Sequence, residues 1–330
     1  MKTDFGMLPN GEKVSLYTIA NGSITAKITD VGATLVSLLV PDKKGKTADV
    51  VLGYDDGRSY VERDEFFGAT VGRYANRIKR GTFAIGQTQV TMDINNGKNN
   101  LHSGKAYFKD RLWTVEDHTE SSIRLSLFSP DGDQGFPGNA QIHVTYSLEG
   151  VALKISYDAV SDKDTVFNFT NHSYFNMAGH DHPEMGSKQI LSMPARFYVA
   201  VDKELIPTGV KQSVEGTAFD FREPKPVGKD LGNGLRGYDH TFEVFTAPAA
   251  ILSDPKSGRT MAVITDCPGV QMYSSPGLDE MGKRGVHYGD GAGVCLETQF
   301  YPDSVNHPEW PQPFTKAGER YHSETIYKFN

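Results

Sequence analysis

Two residues far apart in the chain have the chemistry of a proton acceptor and a proton donor. Glu297 follows the short apolar run Val294, Cys295, Leu296, and a long polar loop reaches from there to Pro308. A carboxylate at a strand end can enter a cleft, where partial desolvation makes it more basic and suits it to general-base work. The plainer alternative for a lone glutamate is a structural pair with an arginine. His172 stands in Thr170-Asn-His-Ser-Tyr-Phe-Asn176, at the end of the alternating run Val166 to Phe169. Imidazole is the side chain best able to exchange a proton near neutral pH. Asn171 and Asn176 can instead hold it in a purely structural network. His172 with Glu297 is the more specific sign, because together they supply an acid and a base.

Three further segments are too polar for ordinary loops. Arg73 and Arg77 flank Ala75 in Gly72-Arg-Tyr-Ala-Asn-Arg-Ile78. On a continuous strand both arginines share a face with Ala75, and Asn76 points the other way. His102 follows the amide-rich Asn95 to Asn100, whose Asn96-Gly97 pair is a turn signal. Asp239 lies in Gly237-Tyr-Asp-His-Thr-Phe242 and can accept hydrogen bonds from paired hydroxyls. Surface ion pairs and plain turns are the alternatives at these three places. Two lookalikes are set aside. His180-Asp-His182 resembles a metal pair but lacks a third ligand at suitable spacing, and Pro183 breaks it into a loop. Asp131-Gly-Asp133 resembles a calcium loop, yet Ile142 occupies the twelfth position, where a bidentate Glu is needed. No metal is expected.

The elements that must carry these residues read as strands. Ile142, Val144, Tyr146 and Leu148 alternate with mostly polar residues, Glu149-Gly150 turns, and Val151, Leu153, Ile155 and Tyr157 run back. Phe83 and Ile85, the turn Gly86-Gln87, then Val90 and Met92 predict a second hairpin. Ile123 to Leu127, Phe197 to Val201 and Met261 to Thr265 alternate likewise. Helical periodicity is confined to a short turn near Ser59 to Asp64. With 34 Gly and 17 Pro punctuating the chain, the fold class is all-β, a large antiparallel β-sandwich. No linker or repeat divides residues 1–330, so one domain is expected.

Composition narrows the partners. The 330 residues carry a net charge of −7 with no basic patch, which argues against nucleic acid. No apolar run reaches membrane-spanning length, and the N-terminus lacks the apolar core of a signal peptide. Cys267 and Cys295 form no C-x-x-C pair and are expected as reduced, buried thiols. The sequons at Asn168 and Asn171 overlap the candidate site, where a glycan would block it. Both points favour the cytoplasm. The sequence does not indicate the oligomeric state.

Five motifs in order resemble the aldose 1-epimerase (galactose mutarotase) family: Gly72 to Ile78, Asn99-Asn-Leu-His-Ser-Gly104, Asn171 to Asn176, Gly237-Tyr-Asp-His240 and Leu296-Glu-Thr-Gln299. Each is modest alone; the set is specific. The resemblance implies a galactose mutarotase-like sandwich that interconverts the α and β anomers of free hexoses without a cofactor. It implies Glu297 as base and His172 as acid. Arg77, His102, Asp239 and Asn76 are implied as substrate-binding residues, and Gln271 as a further substrate contact on the short match Val270-Gln-Met-Tyr273. Opposite charges at the pair would stabilise both ionised forms. A glycoside hydrolase, with Asp239 and Glu297 as its two carboxylates, is the rival enzyme. A non-catalytic carbohydrate-binding protein is the rival outside enzymes.

Overall fold

The computed structural model describes residues 1–232 and 234–330. Three antiparallel sheets make up most of the molecule. The largest has nine strands, in the order Thr114–His118, Ser122–Ser129, Ala140–Glu149, Ala152–Ser161, Arg320–Phe329, Thr260–Thr265, Ala250–Ser253, Ile190–Ser192, Lys225–Pro226. A six-stranded sheet runs Tyr174–Phe175, Val294–Gln299, Gly269–Tyr273, Asp239–Glu243, Phe197–Val201, Pro207–Ser213. The first fifty residues form a five-stranded meander from Lys2–Met7 to Thr47–Asp49.

These segments are strands because their apolar residues repeat every second position. Along Ala140–Glu149 the buried residues are Ala140, Ile142, Val144, Tyr146 and Leu148, and they alternate with partly exposed polar ones. The three sheets share one core: Ile19 and Ile28 of the meander meet Ile142 and Ile155 of the large sheet and Val270, Met272 and Leu296 of the six-stranded sheet. Each such fully buried side chain contributes roughly 1.5–3 kcal/mol relative to exposure. Tyrosines link the layers through their phenols. Tyr146 donates to the Ala33 carbonyl at 2.7 Å, and Tyr327 donates to the Leu296 carbonyl at 3.3 Å.

The expected hairpins are present, with one shift. Glu149 pairs with Ala152, so the turn residues are Gly150 and Val151 and the turn lies one residue later than the sequence suggests. Gly150 has φ +60°, which glycine adopts at little cost, and Val151 is correspondingly exposed. Gly86-Gln87 turns the Thr82–Ile85 and Thr88–Thr91 hairpin as expected. The helix begins earlier than expected, at Gly57–Glu62, because the Asp56 carboxylate accepts from the Ser59 amide at 2.9 Å and caps it there.

One local expectation fails. Residues 72–76 are not a strand with two arginines on one face. Asn76 is left-handed at φ +65°, which ends any strand alternation. Arg73 turns fully inward. It donates to the carbonyls of Ser129 (2.7 Å), Gly138 (2.8 Å) and Pro137 (3.0 Å) and to the Ser129 hydroxyl (2.9 Å). Arg77 goes the other way, toward Asp239.

Candidate active site

Strand register places four of the site residues. Across the six-stranded sheet, Tyr174 pairs with Cys295, Cys295 with Tyr273, and Tyr273 with Asp239. The next row on the same face is Glu297, Gln271 and Thr241. Residues directly opposite one another in antiparallel strands, and those two apart along a strand, share a face. Glu297 and Asp239, 58 positions apart in the sequence numbering, therefore belong to one surface. Glu297 is not at a strand end, as the sequence reading had it. It lies inside Val294–Gln299, a strand buried along its whole length, and is 2% exposed.

The opposite wall comes from loops. The short pair Arg77–Ile78 and Asn100–Leu101 ends in the left-handed residues His102 and Ser103. His172 sits between the two-residue strands Thr170–Asn171 and Tyr174–Phe175. Glu65, Phe66, Asn76, Arg77, His102, His172, Tyr174, Asp239, Tyr273 and Glu297 line a cleft of about 200 Å³, comparable with one monosaccharide. A larger cleft of about 730 Å³ lies elsewhere, beside Arg259 and Arg284; its His182–Glu184 pair, 3.7 Å apart, is exposed to solvent and lacks the burial of His172 and Glu297.

His172 Nε2 lies 3.6 Å from Glu297 Oε1. On its other side, His172 Nδ1 is 3.5 Å from the Cys295 thiol. Tyr174 stacks on the imidazole at 5.1 Å between ring centroids, and Tyr273 meets it edge-on at 6.0 Å. Glu297 Oε2 is buried with no hydrogen-bond partner among the described residues. Burial pushes the Glu297 carboxyl well above the ordinary carboxylate range; the charge of Asp239 adds to this and Arg77 opposes it. Burial also lowers His172, to about 4, against opposing contributions from its backbone and from Asp239. The expectation of two mutually stabilised ions is thus corrected. Desolvation outweighs pairing: it raises Glu297 and lowers His172, so burial works against ionising either group.

The residues expected to bind substrate are linked by hydrogen bonds. His102 Nδ1 accepts from the Asn76 amide at 3.1 Å, which leaves the neutral ring a proton on Nε2 to donate. Its protonation is pushed well down by burial, then by His172 and Arg77. Asn76 Oδ1 accepts from the Arg77 amide at 2.8 Å. Arg77 Nη1 lies 3.4 Å from Asp239 Oδ2. Gln271, expected as a further substrate contact, touches Asp239. It is 2% exposed, donates to Asp239 Oδ1 at 2.5 Å and accepts from the Thr241 hydroxyl. It braces Asp239 from behind and does not line the cleft.

Sequence reasoning missed the aromatic floor. Phe66 lies 4.8 Å from His102 and 5.8 Å from His172 between ring centroids, and offers an apolar face to a sugar ring. Tyr174 and Tyr273 stood inside motifs already noticed, two residues after His172 and Gln271, and two-residue periodicity from those would have found them. Glu65 and Phe66 carry no such signal.

The lookalike motifs are structural. His180 is buried, with Nε2 2.7 Å from Arg284 Nη2 and Nδ1 2.9 Å from the Tyr288 hydroxyl. Asp131 pairs with Lys163 and Asp133 with Arg111.

Residues 15–328 match the aldose 1-epimerase family. The chain belongs to that family. It is 40% identical to a mouse galactose mutarotase over 100% of this chain and 98% of the relative. It is 38% identical to an aldose 1-epimerase of Haemophilus influenzae over 97% of each. The structure superposes on an aldose epimerase homologue from C. elegans with a TM-score of 0.91 at 34% identity, covering 96% of this chain and 99% of that one. The fold is accordingly the galactose mutarotase-like sandwich, and the protein is an isomerase that interconverts aldose anomers.

Proposed function

We propose that the substrates are free hexoses such as galactose and glucose, and that Glu297 and His172 move the protons. The supporting observation is the 3.6 Å approach of His172 Nε2 to Glu297 Oε1 at the base of a cleft lined by hydroxyl-binding groups. A cyclic aldose is a hemiacetal. Ring opening removes the proton from the C1 hydroxyl and adds one to the ring oxygen. Glu297 Oε2, which has no donor among the described residues, is the acceptor for the first. His172 donates the second. Rotation about C1–C2 presents the other carbonyl face, and reclosure reverses both transfers. A pair that holds one proton suits this cycle, because that proton is lent and recovered. Each transfer to a well-placed group contributes roughly 10²–10⁴-fold.

Asp239, Arg77, His102 and Asn76 hold the remaining hydroxyls while C1 stays free to turn. Phe66 packs under the ring. Both Asp239 oxygens are engaged, by Gln271 and Arg77, which suits a clamp better than the acid of a glycoside hydrolase. The reading needs no cofactor, nucleic acid or membrane. The chain is read as one domain over 1–330, placed in the cytoplasm because its cysteines are buried and free and the sequon residues Asn168 and Asn171 are buried.

Polarimetry of freshly dissolved α-D-galactose and α-D-glucose tests the proposal. Catalytic amounts of protein should speed the approach to equilibrium and leave the final rotation unchanged. A rate equal to buffer alone for both sugars would refute it, and release of reducing sugar from aryl glycosides would favour the hydrolase.

A further inference from the structure

The cleft wall carries a third carboxylate that the proton transfers and the hydroxyl clamp do not use. Glu65 is half-buried beside Phe66. Its Oε2 accepts from the Tyr174 hydroxyl at 3.0 Å, and Tyr174 in turn stacks on His172. Among the described residues nothing donates to Oε1, which is free to meet a sugar hydroxyl. Nearby cations are spent elsewhere. Lys109 Nζ is held by Asp110 at 2.7 Å and by the carbonyls of Arg63 and Tyr60. Arg63 pairs with Glu280 at 2.7 Å. Of the residues lining the cleft, only Arg77 has a permanent positive charge, and it faces Asp239. Burial pushes the phenol of the neighbouring Tyr273 upward, and Cys295, Glu65, Asp239 and Glu297 add to the rise.

We infer that Glu65 is a specificity-determining residue: it accepts a substrate hydroxyl and makes the cleft select neutral and cationic aldoses over anionic ones. The physical cause is Coulombic. A carboxylate or phosphate on the sugar would enter a partly desolvated site where Glu65 and Asp239 face one guanidinium and the Glu297–His172 pair, holding one proton, adds no net charge, and screening by salt is weak there. An ammonium would be attracted by the same field. The inference rests on the mutarotase reading, since it concerns which aldoses that chemistry reaches.

Three sugars isolate the charge: D-galactose, D-galacturonate and 6-amino-6-deoxy-D-galactose, the last two charged with opposite sign at the same carbon. Their kcat/KM values are measured for the wild-type protein, Glu65→Gln and Glu65→Ala, by polarimetry or anomeric exchange. The wild-type order should be amino sugar, then galactose, then galacturonate. In both variants the galacturonate-to-amino-sugar ratio should rise about tenfold or more, from loss of one full charge in a site of intermediate dielectric. The ratio should also become less sensitive to salt. A ratio moved by less than about twofold in both variants would overturn the role of Glu65, because loss of packing alone would lower all three sugars together. Wild-type protein inactive on galactose would instead overturn the mutarotase reading itself.

Discussion

His172 presents its two ring nitrogens to two different partners: Nε2 to the Glu297 carboxylate at 3.6 Å and Nδ1 to the Cys295 thiol at 3.5 Å. Cys295 and Glu297 lie two apart on one strand, so strand geometry alone puts the thiol and the carboxylate on the same face. The imidazole lies between them, buried, with aromatic rings on its faces. It is held in place, and its protonation is controlled by desolvation.

That control sets the pH dependence. The active pair holds a single proton. On the acid side activity ends when His172 also takes one, at about 4 instead of near 6.5. On the alkaline side it ends when the pair loses that proton, which burial of Glu297 holds above the ordinary carboxylate range. The kcat profile should be a bell whose limbs report the pair and not either residue. An acid limb near 6.5 would show that burial does not govern His172.

Glu297→Gln should abolish most of kcat while galactose still binds, because the amide keeps the shape but cannot accept a proton. The same variant should be more stable at neutral pH. The native state binds the Glu297 proton more tightly than the unfolded chain does, so wild-type stability falls as pH rises past about 4.3. Gln removes that loss, and its higher Tm at pH 7 should shrink toward pH 4. His172 has the opposite sign. Its folded value is depressed, so it costs stability as pH falls from about 6.5 toward 4. Near-normal kcat in Glu297→Gln would remove Glu297 from the chemistry.

The strands were largely legible in the sequence because each buries one face, and two-residue alternation records that directly. The approach of His172 to Glu297 was foreseen because His172 sits in a dense polar motif and Glu297 interrupts an apolar run. What escaped was long-range or conformational. The Gln271–Asp239 contact depends on pairing between Asp239–Glu243 and Gly269–Tyr273, which no local pattern fixes. The direction of Arg73 depends on the left turn at Asn76, which the sequence offered as strand. The protonation of the pair depends on burial, and the expectation weighed only the opposite charge.

Asp239→Ala should chiefly raise KM for galactose, since a hydrogen bond to a charged group contributes on the order of 1.5–3 kcal/mol. Gln271→Ala should produce a smaller change of the same kind, because Gln271 acts through Asp239. In the double variant the Gln271 change should add little, as its partner is gone. Additive effects would show that Gln271 contacts the sugar itself.

Arg73→Met tests the buried guanidinium. The substitution leaves the carbonyls of Ser129, Pro137 and Gly138 without a donor in a dry interior. Stability should fall by about 3–5 kcal/mol in urea titration. Arg73→Lys should recover only part of this, because one ammonium cannot reach the fork of acceptors. A loss below about 1 kcal/mol in Arg73→Met would mean that water replaces the guanidinium there.

Metal removal should leave activity unchanged, and the reason is geometric. His172, Cys295 and Glu297 bring three ligand-type atoms within 4.8 Å of one another, the separation expected of a small cation site. The thiol, however, approaches Nδ1 and the carboxylate approaches Nε2. One ion cannot bond to both nitrogens of a single imidazole, so an ion among the three atoms would have to give up one of these two approaches. Burial also raises the Cys295 thiol well above its ordinary value, which opposes the thiolate that a soft metal requires. Dialysis against EDTA should therefore leave kcat and KM for galactose at their starting values. Stoichiometric zinc by elemental analysis, with activity lost on chelation and restored on addition, would overturn this.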